Sequence, residues 1–359
     1  MIPYIIIFSG YIFYIFVDRK IPNHIHIFIF SLFIAIISGI RWRTGTDWLP
    51  YETYFQQLNE LSINYYSHIE YGYRQLMFIS KSIFSDYSFF LFLQSIIVIG
   101  LKVLVTLRMK NFQRIIFCSV YLFAYFYNIF NVRQDISISL VLLAIVFFGQ
   151  RIIIYSIFIL IASLFHKSAL IAFPLIFINL INNKTLPILL IFMVASIVTL
   201  IKFDISSMLP DSISYKYYDF IYAAPEAYSK DFIGQIMSLI TKLPYIILFY
   251  YCLNKFILSK HERYVIIIAL LGFTISLISI LSGIGMLNRI AIYLYITELY
   301  VFPLIMLKYI STMPKNNTII ISAIFIVLYI GRFYSYINSY ADLYFPYESI
   351  LEINFKNVY

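Results

Sequence analysis

The chain has 359 residues, 62% of them hydrophobic and 12% charged, with a formal net charge of +9 and a mean hydropathy of +0.87. A soluble domain carries about twice that charged fraction, so a soluble enzyme or a polar binding module is excluded. The positive charge is spread along the chain rather than gathered in a tail, which gives nucleic-acid binding no support.

Met1–Val17 has no basic n-region and no small-residue cleavage site, so it reads as a first membrane span rather than a cleavable leader. A hydrocarbon core of about 30 Å takes about 20 residues, with about 17 tolerated. Spans are predicted at roughly 2–17, 25–40, 87–107, 115–130, 134–149, 152–165, 168–181, 186–202, 232–253, 264–283, 290–307 and 318–337. The expected fold class is therefore all-α: one polytopic integral membrane domain over 1–359 with about twelve transmembrane helices. Two polar stretches interrupt it, a first large loop at 41–86 and a second at 203–231. In the first, residues 65–84 are too polar to span, yet Leu76, Met77, Ile79, Ser80 and Ile83 give a partial apolar face, which predicts an interfacial helix.

Lysine and arginine in short loops set orientation. Alternate connections carry them, Arg108, Lys110 and Arg114 in one and Lys255, Lys260 and Arg263 in another, against the acids Asp18 and Glu262. Those loops are assigned to the cytoplasm, so both large loops face the periplasm of a bacterial inner membrane. Residues 151–181 form two apolar runs meeting at His166-Lys167. A single helix would place that charge mid-bilayer, at about 2.5–3.5 kcal/mol, and would invert every later loop. A short helical hairpin avoids both, and its arms of fourteen residues rise only ~21 Å, which sets His166 below the outer surface. Cys118 and Cys252 lie in apolar runs away from other ligand types and read as buried, inert thiols.

Several charges defy the topology. Arg41, Arg43 and Asp47 in RWRTGTDW, Arg133 and Asp135 in NVRQDIS, His166 in FHKSA and Arg289 in GMLNRIAIY all fall at outer ends of predicted spans. One reading is that the arginines snorkel and pair locally, Arg133 with Asp135 for example. The other is a site for a lipid-linked phosphate or pyrophosphate, whose oxygens match the planar guanidinium fork. Arginines would then stabilise the charge developing on a departing pyrophosphate. An incoming hydroxyl needs a base, for which His166, Asp47 and Asp135 are the candidates. No Walker motif, dinucleotide fingerprint or H-E-x-x-H is present, and neither a metal nor a cofactor is expected.

RWRTGTDWLPYETY, EYGYRQL, NVRQDISISL, FHKSALIAFP, LNRIAIYLY and FPYESIL follow one another in the order found in the EpsG family, which this chain resembles from about Arg41 to Leu351. That family is a branch of the Wzy-type polymerases of bacterial surface polysaccharides. The resemblance implies transfer of a growing glycan from undecaprenyl pyrophosphate to the next lipid-linked repeat unit at the outer face of the inner membrane. By motif, Arg41, Gly45, Asp47, Arg133, Gln134, His166, Asn288 and Arg289 carry over, with Arg41, Arg43, Arg133, Gln134, Asn288 and Arg289 as pyrophosphate or substrate ligands. Undecaprenyl-pyrophosphate-linked oligosaccharides, membrane lipid and a chain-length regulator protein are the partners so implied. Trp48 stands where similar sequences often have tyrosine, and either ring could stack on a sugar. Asp135 departs from the small residue expected after Arg133-Gln134.

Two rival functions remain open on the sequence. A lipid-linked glycan ligase shares the leaving group and the activation problem. A flippase or transporter would place ionisable groups along a mid-membrane path; of the candidates, Lys102 and Lys242 read as snorkelling, and Glu298 and Arg332 as an internal pair. Residues 215–231 mix tyrosines with Lys216, Asp219, Glu226 and Asp231, which suits either sugar contact or an ordinary solvated loop.

Overall fold

A computed structural model describes residues 23–45, 48–59, 69–125, 133–180, 232–282, 285–339 and 348–350. The predicted spans at 2–17 and 186–202 and the second large loop lie outside them. The helices, in chain order, are α1 (Asn23–Gly39), α2 (Trp48–Gln57), α3 (Tyr71–Ile83), α4 (Tyr87–Leu104), α5 (Asn111–Tyr125), α6 (Arg133–Phe148) and α7 (Ile152–Phe165). They continue with α8 (Phe232–Lys255), α9 (Lys260–Ser282), α10 (Gly285–Tyr295), α11 (Glu298–Thr312) and α12 (Lys315–Ser339). The described chain is thus overwhelmingly helical, as a bilayer demands of a chain whose backbone groups find no water.

Among the described residues, two helices, Tyr87–Arg108 and Lys260–Leu281, are long and apolar enough to cross a membrane, and Leu287–Tyr295 with Glu298–Thr312 forms a third candidate bent by 45°. That bend breaks the single helix predicted at 290–307. Ile27–Gly39, Ile152–Phe165, Lys167–Ile178 and Ile319–Tyr334 are apolar but shorter. Phe28, Ile153 and Val327 point their side chains outward, the pattern of helices solvated by lipid rather than water.

The chain forms two compact units. One comprises Met1–Phe147, Ser156–Leu170 and Phe302–Tyr359, the other Phe148–Tyr155 and Ile171–Val301. The centre of the first is α6, buried without interruption from Asp135 to Val146; a helix apolar on every side has no polar face to offer solvent. In the same unit α1 packs along α4. In the second unit α9 lies between α8 and α10. Gly272 of α9 permits the latter contact, because a Cβ there would strike the backbone nitrogen of Tyr295.

Within the first large loop, the described helices α2 and α3 form a cap against α4. Trp48, Tyr51 and Phe55 of α2 and Tyr73 and Met77 of α3 are buried, with Phe55 5.5 Å from the Tyr87 ring and Tyr73 5.5 Å from that of Phe90. Lys81 of α3 donates to the carbonyls of Gln56 and Leu58 at 2.7 and 2.9 Å, closing the C-terminal end of α2 where a cation is favoured. Of the face predicted for the interfacial helix, Met77 and Ser80 turn inward, while Ile79 and Ile83 stay exposed. Beneath the cap, β1 (Arg41–Trp42) pairs antiparallel with β2 (Glu348–Ser349), Arg41 opposite Ser349. The amide of Ile350 extends the ladder to the Ile40 carbonyl at 3.0 Å.

Around His166 the chain reverses as predicted. α7 ends at Phe165 and a 3-10 run continues over Lys167–Leu180, with Tyr155 donating from its hydroxyl to the Ala172 carbonyl at 2.6 Å. The second arm is not the α-helix expected. Pro174 lies within it and has no amide hydrogen for an α ladder.

Candidate functional site

α4 measures depth for the first unit. Trp48 packs edge-on against Tyr87 at its start, 5.4 Å between centroids, and against Trp42 at 4.7 Å. Further along, Tyr73 donates to Gln94 at 3.2 Å, and Ser95 meets Ser38 at 2.8 Å. Ser38 in turn accepts from Arg41 Nη1 at 2.9 Å. Lys102 follows, its Nζ 2.8 Å from both oxygens of Asp135. At 1.5 Å per residue, Ser95 lies ~12 Å and Lys102 ~22 Å along the axis from Tyr87. Along α4, Asp135 is therefore held further from Tyr87 than Ser38 and its partner Arg41 are.

Arg41 is 1% exposed. Its Nη1 also donates to the Ser38 carbonyl at 3.1 Å, so it caps the last turn of its own helix α1. It is within electrostatic reach of both Asp135 and Tyr73. Arg43 is exposed in a left-handed conformation, φ 48°, and Gly45 follows at φ 99°, the turn geometry that glycine accepts without steric cost. Thr44 ties the turn, its hydroxyl donating to the Trp42 carbonyl at 3.0 Å. Asp47 lies outside the described residues. Trp48, a candidate for sugar stacking, is 4% exposed and spends its ring on the aromatic cluster.

Asp135 does not pair with Arg133. Both its oxygens are held by Lys102, and neither residue is exposed beyond 1%. Lys102 therefore does not snorkel, and Asp135 is a counter-ion within the helix bundle with no opening toward a substrate. A buried ion pair persists only with good geometry and further partners; here the ammonium also stands 5.4 Å from the Tyr121 ring centroid.

Arg133, the first residue of α6, forms its ion pair with Glu70, Nη1 to Oε2 at 2.9 Å, with 24% of its side chain exposed against 9% for Glu70. It also stands 5.9 Å from the Tyr51 ring, and Gln134 beside it is half-buried. The other oxygen of Glu70 accepts the backbone amide of Lys167 at 3.2 Å, the residue after His166. The start of α3 reaches this position because Gly72 lies against α7, where a Cβ would come 2.9 Å from the Leu164 carbonyl oxygen. Arg133, Glu70 and His166 thus converge in the first unit.

His166 is half-buried. Its Nδ1 accepts the amide of Ser168 at 3.3 Å and lies 2.5 Å from the Ser168 hydroxyl. An amide can only donate, so the proton of the neutral ring resides on Nε2. In this arrangement the neutral ring of His166 is a donor at Nε2. The base role expected of it finds no support in this hydrogen bonding. Tyr73 is fully buried nearby, with its ring 5.5 Å from that of Tyr51. Burial pushes its phenol well above the ordinary value, the nearby Tyr87 and Tyr51 add to the rise, and Arg41 and Arg133 pull against it.

Asn288 and Arg289 belong to the second unit, on α10. Asn288 is half-buried and Arg289 exposed. Asn288 Oδ1 accepts from Ser276 at 2.6 Å, and Ser276 accepts from Lys242. Lys242 is thus committed to a relay that fixes the Asn288 amide, with its ammonium 5.9 Å from the Tyr295 ring, rather than snorkelling.

Sequence reading missed three partners. Glu70 sits in EYGYRQL, and the sign that could have found it is an acid beside a glycine at the start of a polar outer helix. Ser168, two residues from His166, is a local signal for imidazole orientation. Lys102 looked like any lysine near a span end. The order of motifs, by contrast, meets an independent finding: the sequence profile of the EpsG family matches residues 24–349. No curated protein and no solved structure gives a match. With nearly its whole length aligned, both paired strands included, the chain belongs to the EpsG family.

Proposed function

We propose that the chain is a surface-polysaccharide polymerase, moving a growing glycan from undecaprenyl pyrophosphate to the next lipid-linked repeat unit at the periplasmic face of the bacterial inner membrane. The family's members are Wzy-like polymerases, and the membrane-helix character of the chain suits a lipid-linked donor. The observation that carries the chemistry is the carboxylate of Glu70, which pairs with partly exposed Arg133 and accepts the amide of Lys167, the residue after His166, so that the arginine and the turn bearing the histidine are held together. Both side chains favour an anionic oxygen.

In the reaction, the acceptor hydroxyl attacks the anomeric carbon and its proton passes to Asp47. The bond from that carbon to the pyrophosphate oxygen breaks, and the electron pair leaves on the pyrophosphate. Arg133 and Arg43 bind the phosphates, His166 donates to a departing or bridging oxygen, and Gln134 contacts the donor. Arg41, enclosed under the cap, contributes its field from below. By motif alone, Asn288 and Arg289 of the second unit are also assigned to substrate. Twelve spans, with the two large loops outside, are the topology that goes with this reading.

Reconstitution tests it. The purified chain in lipid, given its organism's undecaprenyl-pyrophosphate repeat unit, is expected to yield a ladder of multiples by size. An intact substrate that stays monomeric in the presence of folded protein overturns the polymerase reading and leaves the ligase and transporter readings standing.

A further inference from the structure

Glu70 occupies the N-cap position of α3 with extended backbone angles, φ −63° and ψ 146°, yet its side chain makes no capping hydrogen bond to its own helix. Acids are favoured at that position because the carboxylate satisfies the first free amides. Here the carboxylate reaches away from α3. One oxygen meets Arg133 at the start of α6 at 2.9 Å and the other the amide of Lys167 just beyond α7 at 3.2 Å. Gly72 brings α3 within reach of α7, so the local sequence sacrifices a cap and a side chain to deliver one carboxylate to two distant elements.

From this we propose that Glu70 is a positioning residue of the donor site. It aims the Arg133 guanidinium at the pyrophosphate and fixes the turn that carries His166. The inference rests on the phosphate-binding reading of Arg133 given above, and adds the group that makes Arg133 effective. An arginine held by a carboxylate keeps its fork in one orientation, so less rotamer freedom is lost when a phosphate binds. Glu70 touches no substrate. It works through Arg133 by charge and through Lys167 by a hydrogen bond, and those two actions can be separated. Glu70→Gln retains an acceptor for the Lys167 amide but removes the counter-charge. Glu70→Ala removes both. Glu70→Asp retains charge and acceptor on a shorter arm.

The experiment measures inorganic pyrophosphate binding to the full chain in lipid nanodiscs, for wild type, these three variants, Arg133→Ala and the double variant Glu70→Gln/Arg133→Ala. Thermal unfolding of each checks that it folds. Glu70→Gln is expected to weaken pyrophosphate about tenfold, the scale of one charge-assisted contact, with Glu70→Asp recovering part of the loss. The double variant is expected to bind no more weakly than Arg133→Ala alone, since Glu70 has nothing left to position. Additive losses in the double variant, or binding unchanged or tightened by Glu70→Gln, overturn the proposal while leaving the phosphate site standing. Wild-type protein that binds no pyrophosphate overturns the phosphate reading of Arg133 and this inference with it. Where a ladder is formed, Glu70→Gln is expected to act on KM for the donor, and Glu70→Ala on KM and kcat together.

Discussion

Ser168 donates to Nδ1 of His166, so the neutral imidazole carries its proton on Nε2, and in the proposed site that group is the donor to a substrate oxygen. His166→Gln keeps a donor at that reach and is expected to retain most of the polymerising activity. His166→Ala is expected to lose about 10²–10³-fold, the usual cost of one donor to a developing charge. A base at His166 would give the opposite result, with Gln as inactive as Ala. Tyr73 has a pH signature of its own. Its phenol is raised above the ordinary value of 10.0, so the folded chain keeps a proton that the unfolded chain releases. That contribution to stability is complete below about pH 10 and is lost as pH rises toward the native value. Tyr73→Phe should therefore flatten the fall in thermal stability above pH 10, measured in lipid nanodiscs. At this scale the sequence showed which residues carry charge but not which charges meet. Asp135 lay two positions from Arg133, and the pairing went instead to Lys102 and Glu70, because helix packing decides partners at separations that no local pattern records.

Helices were the most legible level, since an apolar run of bilayer length has few alternatives to a helix. The exceptions are informative. The break between α10 and α11 falls at Ile296-Thr297, just before Glu298 in an otherwise apolar stretch, and the arm after His166 runs as a 3-10 helix through Pro174. Two predictions belong here. Lys102→Met strands the Asp135 carboxylate between α4 and α6 and is expected to cost about 3–5 kcal/mol. Lys102→Met with Asp135→Leu should recover most of it, read as thermal or denaturant unfolding of the lipid-embedded protein. Gly272→Ala forces α9 away from the backbone of Tyr295 and is expected to destabilise by at least about 1–3 kcal/mol, as overpacking does. Gly331, where an added Cβ meets nothing within 4 Å, is the control: Gly331→Ala, within α12, should stabilise by about 0.5–1 kcal/mol.

Across the whole chain, motif order located the family and hydropathy marked the two described helices long enough to cross a membrane, while the packing of α2 and α3 stayed hidden behind the polarity of the first loop. The sidedness is open to direct labelling. Arg43→Cys and Lys167→Cys are both exposed positions and are expected to react with a membrane-impermeant maleimide from the outside, Lys110→Cys and Lys255→Cys only after permeabilisation. Cys118 and Cys252 are buried and leave the background low. The pairing of β1 with β2 adds a constraint of arithmetic. Two strands that share hydrogen bonds stand on the same side of a bilayer, so the chain between Trp42 and Glu348 crosses it an even number of times. The predicted spans in that interval are even in number when His166 marks a hairpin. They become odd if its two arms fuse into one helix. A backbone ladder two residues long thus acts as a parity check on the entire membrane topology.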